Sequence, residues 1–315
     1  MRVFLNDVVM NKTYSDIYLI KSCNIRQTSK GKDYMSITIS DMSGEISGVV
    51  WNMPAEYEKF QSGEFCRAAF TVGEYEGNKQ ANFLNLCHVS PEEDFDREGL
   101  VPTSSTPSDE AYRYIYGTAE KFQNADLRRL TTTILRENKD NLLRWPGAKG
   151  VHHATLGGLI EHTHGMLRLA EAICMVYPGV NRELLLAGVI LHDIAKIKEF
   201  ALGSIGLVAD YSTEGKLLGH LYMGGRYIAD KCEELAINGE LSLVLQHMII
   251  SHHGKPEFGA VKIPEIWEAN LLHQIDDMDA KSYIYRTTLD KLEPGTFSDK
   301  VFALDNVQIY KPNLD

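Results

Sequence analysis

Nine of the eleven histidines in this chain fall between His152 and His253, several of them near the ends of predicted helices. Five places concentrate the chemistry: His162 in GGLIEHTHGML, His192–Asp193 in LLAGVILHDIAK, His220 in LGHLYMGG, His252–His253 in IISHHG, and Asp276 in LLHQIDDMDAK. Imidazole nitrogens with carboxylate oxygens suit borderline first-row cations such as Mn, Fe, Co, Ni and Zn. Mg or Ca alone would favour an all-oxygen shell. The His192–Asp193 pair closes an apolar helical run, so one helix can offer a nitrogen and a carboxylate whose two oxygens serve two cations. There is no GxSxG, no GxxxxGK[ST] and no cysteine next to a base in a family-like pattern, which argues against a covalent nucleophile and against a nucleotide-fuelled machine. A lone histidine on an apolar helix is normally structural, and His88, His164, His247 and His273 read that way. His164 points about 200° from His162 if both lie on one helix. His152 and His153 read equally as cleft lining or as loop residues.

These residues need helices to position them. After the segment 101–110 (VPTSSTPSDE), whose Pro, Ser and Thr without apolar periodicity read as a linker, the period becomes helical. Helices are expected over 109–123, 125–137, 156–176, 182–196, 216–235, 241–251 and 265–285, the last opened by Pro264 at its first position. Before the linker the residues alternate as strands do. Candidate strands are 16–26, 33–39, 45–51, 66–75 and 80–89, separated by SKGKD, DMSGE and EGNKQ, with a short helix at 54–60. Five strands with a helix after the third is the order of an OB-fold barrel. The expected division is therefore a barrel at 1–101, a linker at 102–110 and an all-α domain at 111–315.

Length and composition agree with two domains: 315 residues, 44% apolar and 24% charged. No window approaches the ~20 apolar residues of a membrane span, and the N-terminus lacks a secretory pattern. Five scattered cysteines without CxxC are usage of a reducing cytosol, so a cytoplasmic protein with no membrane partner is expected. The net charge of −11 excludes nucleic-acid binding through a general basic field. A local patch (Arg2, Lys12, Lys21, Arg26, Lys30 and Lys32) and the aromatics Tyr18, Tyr34, Trp51 and Phe83 are what the barrel offers a single strand.

The order His162, His192–Asp193, His220, His252, Asp276 resembles that of the HD-domain metal-dependent phosphohydrolases, over roughly residues 156–281. GGLIEHT, HDIAK, GH and SHHG stand at family-like intervals. With the barrel and the segment ALDNVQIYKP, the whole chain is similar to the bacterial YhaM-type 3′-5′ exoribonucleases, in which an OB-fold precedes an HD domain. The resemblance implies that His162, His192, Asp193 and Asp276 hold a first metal, and that Asp193 bridges to a second held by His220 and His252. It places Lys196 near the scissile phosphate. His253 is either a further ligand or an acid near the leaving group. Asp277 and Asp279 compete with Asp276, which aligns best. The implied cofactors are two divalent ions, Mn first, with Fe, Co, Ni, Zn or Mg as alternatives. The implied activity is 3′-5′ exonuclease action on single-stranded RNA, or DNA, by two-metal hydroxide attack, releasing nucleoside 5′-monophosphates. Two alternatives stand beside it: a phosphohydrolase of small nucleotides or phosphomonoesters, and a non-enzymatic OB-fold binding module. Oligomerisation is left open.

Overall fold

A computed structural model describes residues 3–28, 31–51, 53–75, 77–90, 93–95, 99–150, 152–203 and 205–314. The chain divides into two compact units, Met1–Thr103 with Leu202–Leu207, and Ser104–Ala201 with Val208–Asp315.

The first unit is a closed five-stranded barrel. Strands β1 (Thr13–Gln27), β2 (Asp33–Ser40), β3 (Glu45–Trp51), β4 (Phe65–Tyr75) and β5 (Asn78–His88) pair in the order β1-β2-β3-β5-β4. The long β1 serves both halves: Thr13 to Leu19 pair with β4, and Leu19 to Gln27 pair with β2. A bulge between Ile20 and Ser22 turns the strand between its two partners, the usual device for bending a barrel strand. The parallel pairing of β3 with β5, at Gly48–Ala81 and Val49–Asn82, completes the OB order. Strict alternation sends Met35, Ile37 and Ile39 of β2 inward to meet Ile20, Phe70 and Val72. The segment expected as a short helix at 54–60 is a 3₁₀ turn, Ala55–Lys59, whose Tyr57 side chain is buried.

The aromatics separate by strand face. Tyr18 is buried against Phe70 and belongs to the core, and Phe83 packs partly on the same ring. Tyr34 and Trp51 are cross-strand partners on the outer face, centroids 5.1 Å apart, with Trp51 61% exposed. Lys12, Arg26 and Lys32 are exposed, and Lys21 pairs with Glu45. Arg2 and Lys30 lie outside the described residues.

The second unit is a helical bundle. Its helices are α1 (Ser108–Glu120), α2 (Ala125–Glu137), α3 (Lys139–Leu142), α4 (Gly158–Val176), α5 (Arg182–Leu191), α6 (Lys196–Glu199), α7 (Thr213–Glu234), α8 (Gly239–Ser251) and α9 (Trp267–Leu289). Residues 108–110 already form the first turn of α1. A helix apolar on every side must be central, and α5 is: every residue from Leu184 to Leu191 is buried, packed by α2, α4, α8 and α9. Two hairpins accompany the helices, β6 (Phe200–Leu202) with β7 (Val208–Tyr211), and β8 (Phe297–Val301) with β9 (Val307–Tyr310). The second buries Leu304 and Ile309 against Ile284 of α9. Among the described residues no helix is long and apolar enough to cross a membrane.

Two of the helix boundaries that differ from expectation do so for a local reason. The run expected as one helix over 182–196 ends at Leu191, and 192–195 form a tight turn closed by Ile194 N–H to Leu191 O and Lys196 N–H to Asp193 O. The final long helix starts at Trp267 with Ile266 as its cap, so Pro264 precedes the helix instead of opening it. Glu265 N–H donates to His247 Nε2 at 2.9 Å, which anchors the segment after that proline outside the helix.

Candidate metal centre

Each histidine of the expected set reaches one point by a distinct local device. His192 and His252 are the C-caps of α5 and α8. A helix end leaves carbonyls without intrahelical donors, and each ring supplies one: Nδ1–H of His192 donates to Val189 O at 2.8 Å and that of His252 to Ile249 O at 2.7 Å. His220 follows Gly219, which breaks α7 with φ 69° and ψ 156°. Only glycine takes that conformation without strain. The break frees the His220 N–H from the helix ladder to donate to Glu199 Oε1 at 2.9 Å, and Glu199 Oε1 also accepts from His220 Nδ1 at 2.9 Å. His162, on α4, donates from Nδ1 to Asp279 Oδ2 at 2.8 Å. His253 does likewise to Phe258 O at 2.7 Å.

A carbonyl or carboxylate oxygen can only accept, so Nδ1 carries a proton in each ring and Nε2 is the nitrogen left to face a cation. The Nε2 atoms of His162, His192, His220 and His252 are buried without hydrogen-bond partners, as is Asp193 Oδ1. Five buried polar atoms left unpaired at one place would cost about 1–3 kcal/mol each; a cation relieves them together. Asp193 stands between two groups. Its Oδ2 is 3.2 Å from His192 Nε2 and 3.9 Å from His162 Nε2, while its Oδ1 is 3.5 Å from His220 Nε2 and 3.7 Å from His252 Nε2. Asp276 Oδ1 lies 3.3 Å from His162 Nε2. The sets His162–His192–Asp193, His192–His252–Asp276 and His220–His252–His253 each bring ligand atoms within 4.8 Å of one another. These residues fit divalent cations: they offer imidazole nitrogens and carboxylate oxygens, and the other nitrogen of each ring is already held by a carbonyl or carboxylate.

The electrostatics agree. Burial raises Asp193 and Asp276, but the facing imidazoles, with Lys196 beside Asp193, hold both carboxyls well below the usual range. Burial pushes His252 well down, keeping it neutral. His162 is the reverse case: against burial, Asp276 and Asp279 lift it to about 10, so these carboxylates call for positive charge at that ring. Lys196 is buried, yet Asp193 more than offsets the desolvation and holds the ammonium charged. Its Nζ is 2.7 Å from Asp193 Oδ2 and donates to Gly147 O at 2.9 Å.

The structure brings together His162, His192, Asp193, Lys196, His220, His252, His253 and Asp276. The three aspartates of α9 part company. Asp276 faces the cluster, Asp277 pairs with Lys281 on the exposed face, and Asp279 sits behind His162. The histidines read as structural have other partners. His164 packs on Tyr114, His88 stacks on Phe60, His247 accepts from Glu265 N–H, and His273 contacts His252 O. His152 lies beside the His162 ring, centroids 6.2 Å apart; burial and the nearby Lys196 push it down to about 4. Glu199 and Glu161 were not singled out from sequence. The carboxylate of Glu199 one turn after Lys196 was the available signal.

A helical bundle that gathers histidines and aspartates from α4, α5, α7, α8 and α9 around one aspartate is the architecture of an HD domain, and the HD-domain family model matches residues 159–281. Similarity extends over nearly the whole chain. The "3′-5′ exoribonuclease YhaM" of Bacillus subtilis (strain 168) is 35% identical over 297 residues, 94% of either chain. That of Listeria innocua is 35% identical over 312 residues, 99% of either chain, and that of Oceanobacillus iheyensis 33% over 308. The chain belongs to the YhaM family of HD-domain proteins.

Proposed function

We propose that this chain is a metal-dependent 3′-5′ exoribonuclease that holds two divalent ions, Mn²⁺ first among the candidates. The single observation that carries the reading is the convergence of unpartnered buried Nε2 atoms on both oxygens of Asp193. The full-length similarity to proteins named for this activity supports it. His162, His192, Asp193 and Asp276 would hold one ion; Asp193, His220 and His252 the other. We assign His253 to the second ion as a ligand rather than to the leaving group as an acid. Its Nδ1 is committed to a carbonyl in the same way as those of the other rings.

Two such ions, when bound, polarise a phosphodiester and lower the pKa of a water. The chain's own groups do the rest. Asp193, whose two oxygens face different histidines, would contribute to both positions. Lys196, held charged against it, offsets negative charge building on the phosphoryl oxygens. His192 and His252, fixed by helix carbonyls, present lone pairs without reorganisation. No side chain here needs to form a covalent bond to phosphorus.

The test is a time course on a 5′-labelled single-stranded RNA with Mn²⁺. A ladder shortening from the 3′ end is expected. Untouched RNA alongside turnover of mononucleotides or of bis-p-nitrophenyl phosphate would mean a small-substrate phosphohydrolase instead.

We further propose that residues 1–101 form a single-strand-binding module and 111–315 the catalytic domain. Tyr34 and Trp51, the outward aromatic pair, are the stacking platform this reading selects. Base stacking on an aromatic contributes about 1–3 kcal/mol. Trp51→Ala should therefore weaken single-stranded RNA binding roughly 5- to 100-fold while hydrolysis of the chromogenic diester is unchanged. Equal loss on both substrates would remove the barrel from substrate guidance.

A further inference from the structure

His153 has features that a loop residue does not need. It is buried, yet its backbone is left-handed at φ 50°, a conformation that is strained for a residue with a Cβ and is found where surrounding structure enforces it. The enforcement is visible. Gly147 N–H donates to His153 O at 2.8 Å, and a Cβ on Gly158 would collide with that same carbonyl oxygen. The imidazole is committed at both nitrogens. Nε2 lies 3.0 Å from Asp279 Oδ2, and Nδ1 lies 3.2 Å from Glu161 Oε2. Tyr283 covers the ring, centroids 4.1 Å apart. Asp279 is held in turn, because a Cβ on Gly165 would strike its Oδ1.

The oxygen that His153 contacts is the one that accepts from His162 Nδ1 at 2.8 Å. A continuous chain therefore runs from Ser105, whose N–H and hydroxyl both bond Glu161 Oε1, through Glu161, His153 and Asp279 to His162. None of the first four points a ligand atom at Asp193. Their effect on the centre passes through the tautomer and angle of one ring.

We propose that His153 is a positioning residue for the first ion site. By pinning Asp279 Oδ2 it orients His162 Nε2 toward Asp193 and Asp276, so the affinity of that one site depends on it. The inference rests on the metal reading above and adds a residue that belongs to neither ligand set. Outer-shell partners of ligating histidines typically govern metal affinity by 10- to 100-fold. The histidines proposed for the second ion site take their Nδ1 partners from Glu199, Ile249 and Phe258, none of which belongs to this hydrogen-bond chain, so the two sites share only Asp193.

The experiment is a Mn²⁺ titration of the full-length chain, followed by calorimetry and by electron paramagnetic resonance, which separates isolated from paired ions. Wild type should bind two ions. In His153→Leu one site should weaken about 10- to 100-fold and the other by less than about threefold, leaving isolated Mn²⁺ at intermediate loading. His153→Gln, which keeps one donor toward Asp279, should recover part of the loss. Asp279→Asn should weaken the same site, and combining it with His153→Gln should add little, since both act on one oxygen. A buried polar deletion can prevent folding; if His153→Leu does not fold, the glutamine variant and the double variant decide. Unaltered affinity in folded His153→Gln, equal weakening of both sites, or additive losses in the double variant would each overturn the proposal. A wild-type chain that binds no Mn²⁺ would instead strike the metal reading, a distinguishable result.

Discussion

Asp193→Ala is expected to leave no measurable phosphodiester hydrolysis, on RNA or on a chromogenic diester, with a loss of at least about 10³-fold. Metal polarisation of a phosphoryl oxygen is worth several kcal/mol, and about 4 kcal/mol is already three decades in rate. Asp193 lies between the two histidine groups, with Oδ2 toward His192 and Oδ1 toward His220 and His252. The alanine also removes the ion-pair partner of the buried Lys196 ammonium, which keeps its hydrogen bond to Gly147 O, and breaking a buried ion pair from one side costs about 3–5 kcal/mol. Asp193→Asn separates the two effects, because the amide keeps the shape and an acceptor while removing the charge. It should fold better than the alanine variant and still be nearly inactive. Activity of either variant within tenfold of wild type would defeat the two-ion reading.

Chelation should act on stability as well as on rate. Among the described residues the buried Nε2 atoms of His162, His192, His220 and His252 have no hydrogen-bond partner, so the folded chain without cations leaves their desolvation largely uncompensated. A ligand that binds only the folded state stabilises by about 2.7 kcal/mol at 100 times its dissociation constant. For a unit of this size that is roughly 5–10 °C in the midpoint of thermal unfolding. Removing divalent ions should therefore lower the melting temperature of the helical unit by that amount and abolish activity. Readdition of Mn²⁺ should restore both together. A melting temperature indifferent to chelator and Mn²⁺ would indicate that the cluster is a hydrogen-bonded structural core, and the metal assignment would fall with it.

The residues proposed as ligands and their order along the chain were legible from the sequence. Their residue types and spacing carried the signature; His192 and His252 prove to be helix C-caps, and His220 follows a glycine break. The central position of α5 was equally legible, since a run with no polar residue from Leu184 to Leu191 has to be enclosed. The barrel followed from alternation, whose period of two decides the inward face of β2.

What the sequence could not decide were choices between neighbours that share chemistry but not direction. Asp276, Asp277 and Asp279 are equivalent as letters; the phase of α9 sends one to the cluster, one to solvent and one behind His162. Tyr34, Trp51, Tyr18 and Phe83 are equally aromatic, and strand register separates the outer pair from the core. The break after Leu191 has no proline or glycine to announce it. Its reason is tertiary, because His192 must cap α5 while Asp193 turns toward rings brought by α4, α7 and α8. Glu161 and Glu199 escaped for the same reason, and the two readings of His153, cleft lining or loop, could not be separated. Their role lies in which atom of another residue they hold, and that contact spans 126 positions between His153 and Asp279. Local pattern encodes which groups a segment can offer. Only packing of distant segments determines which lone pairs meet.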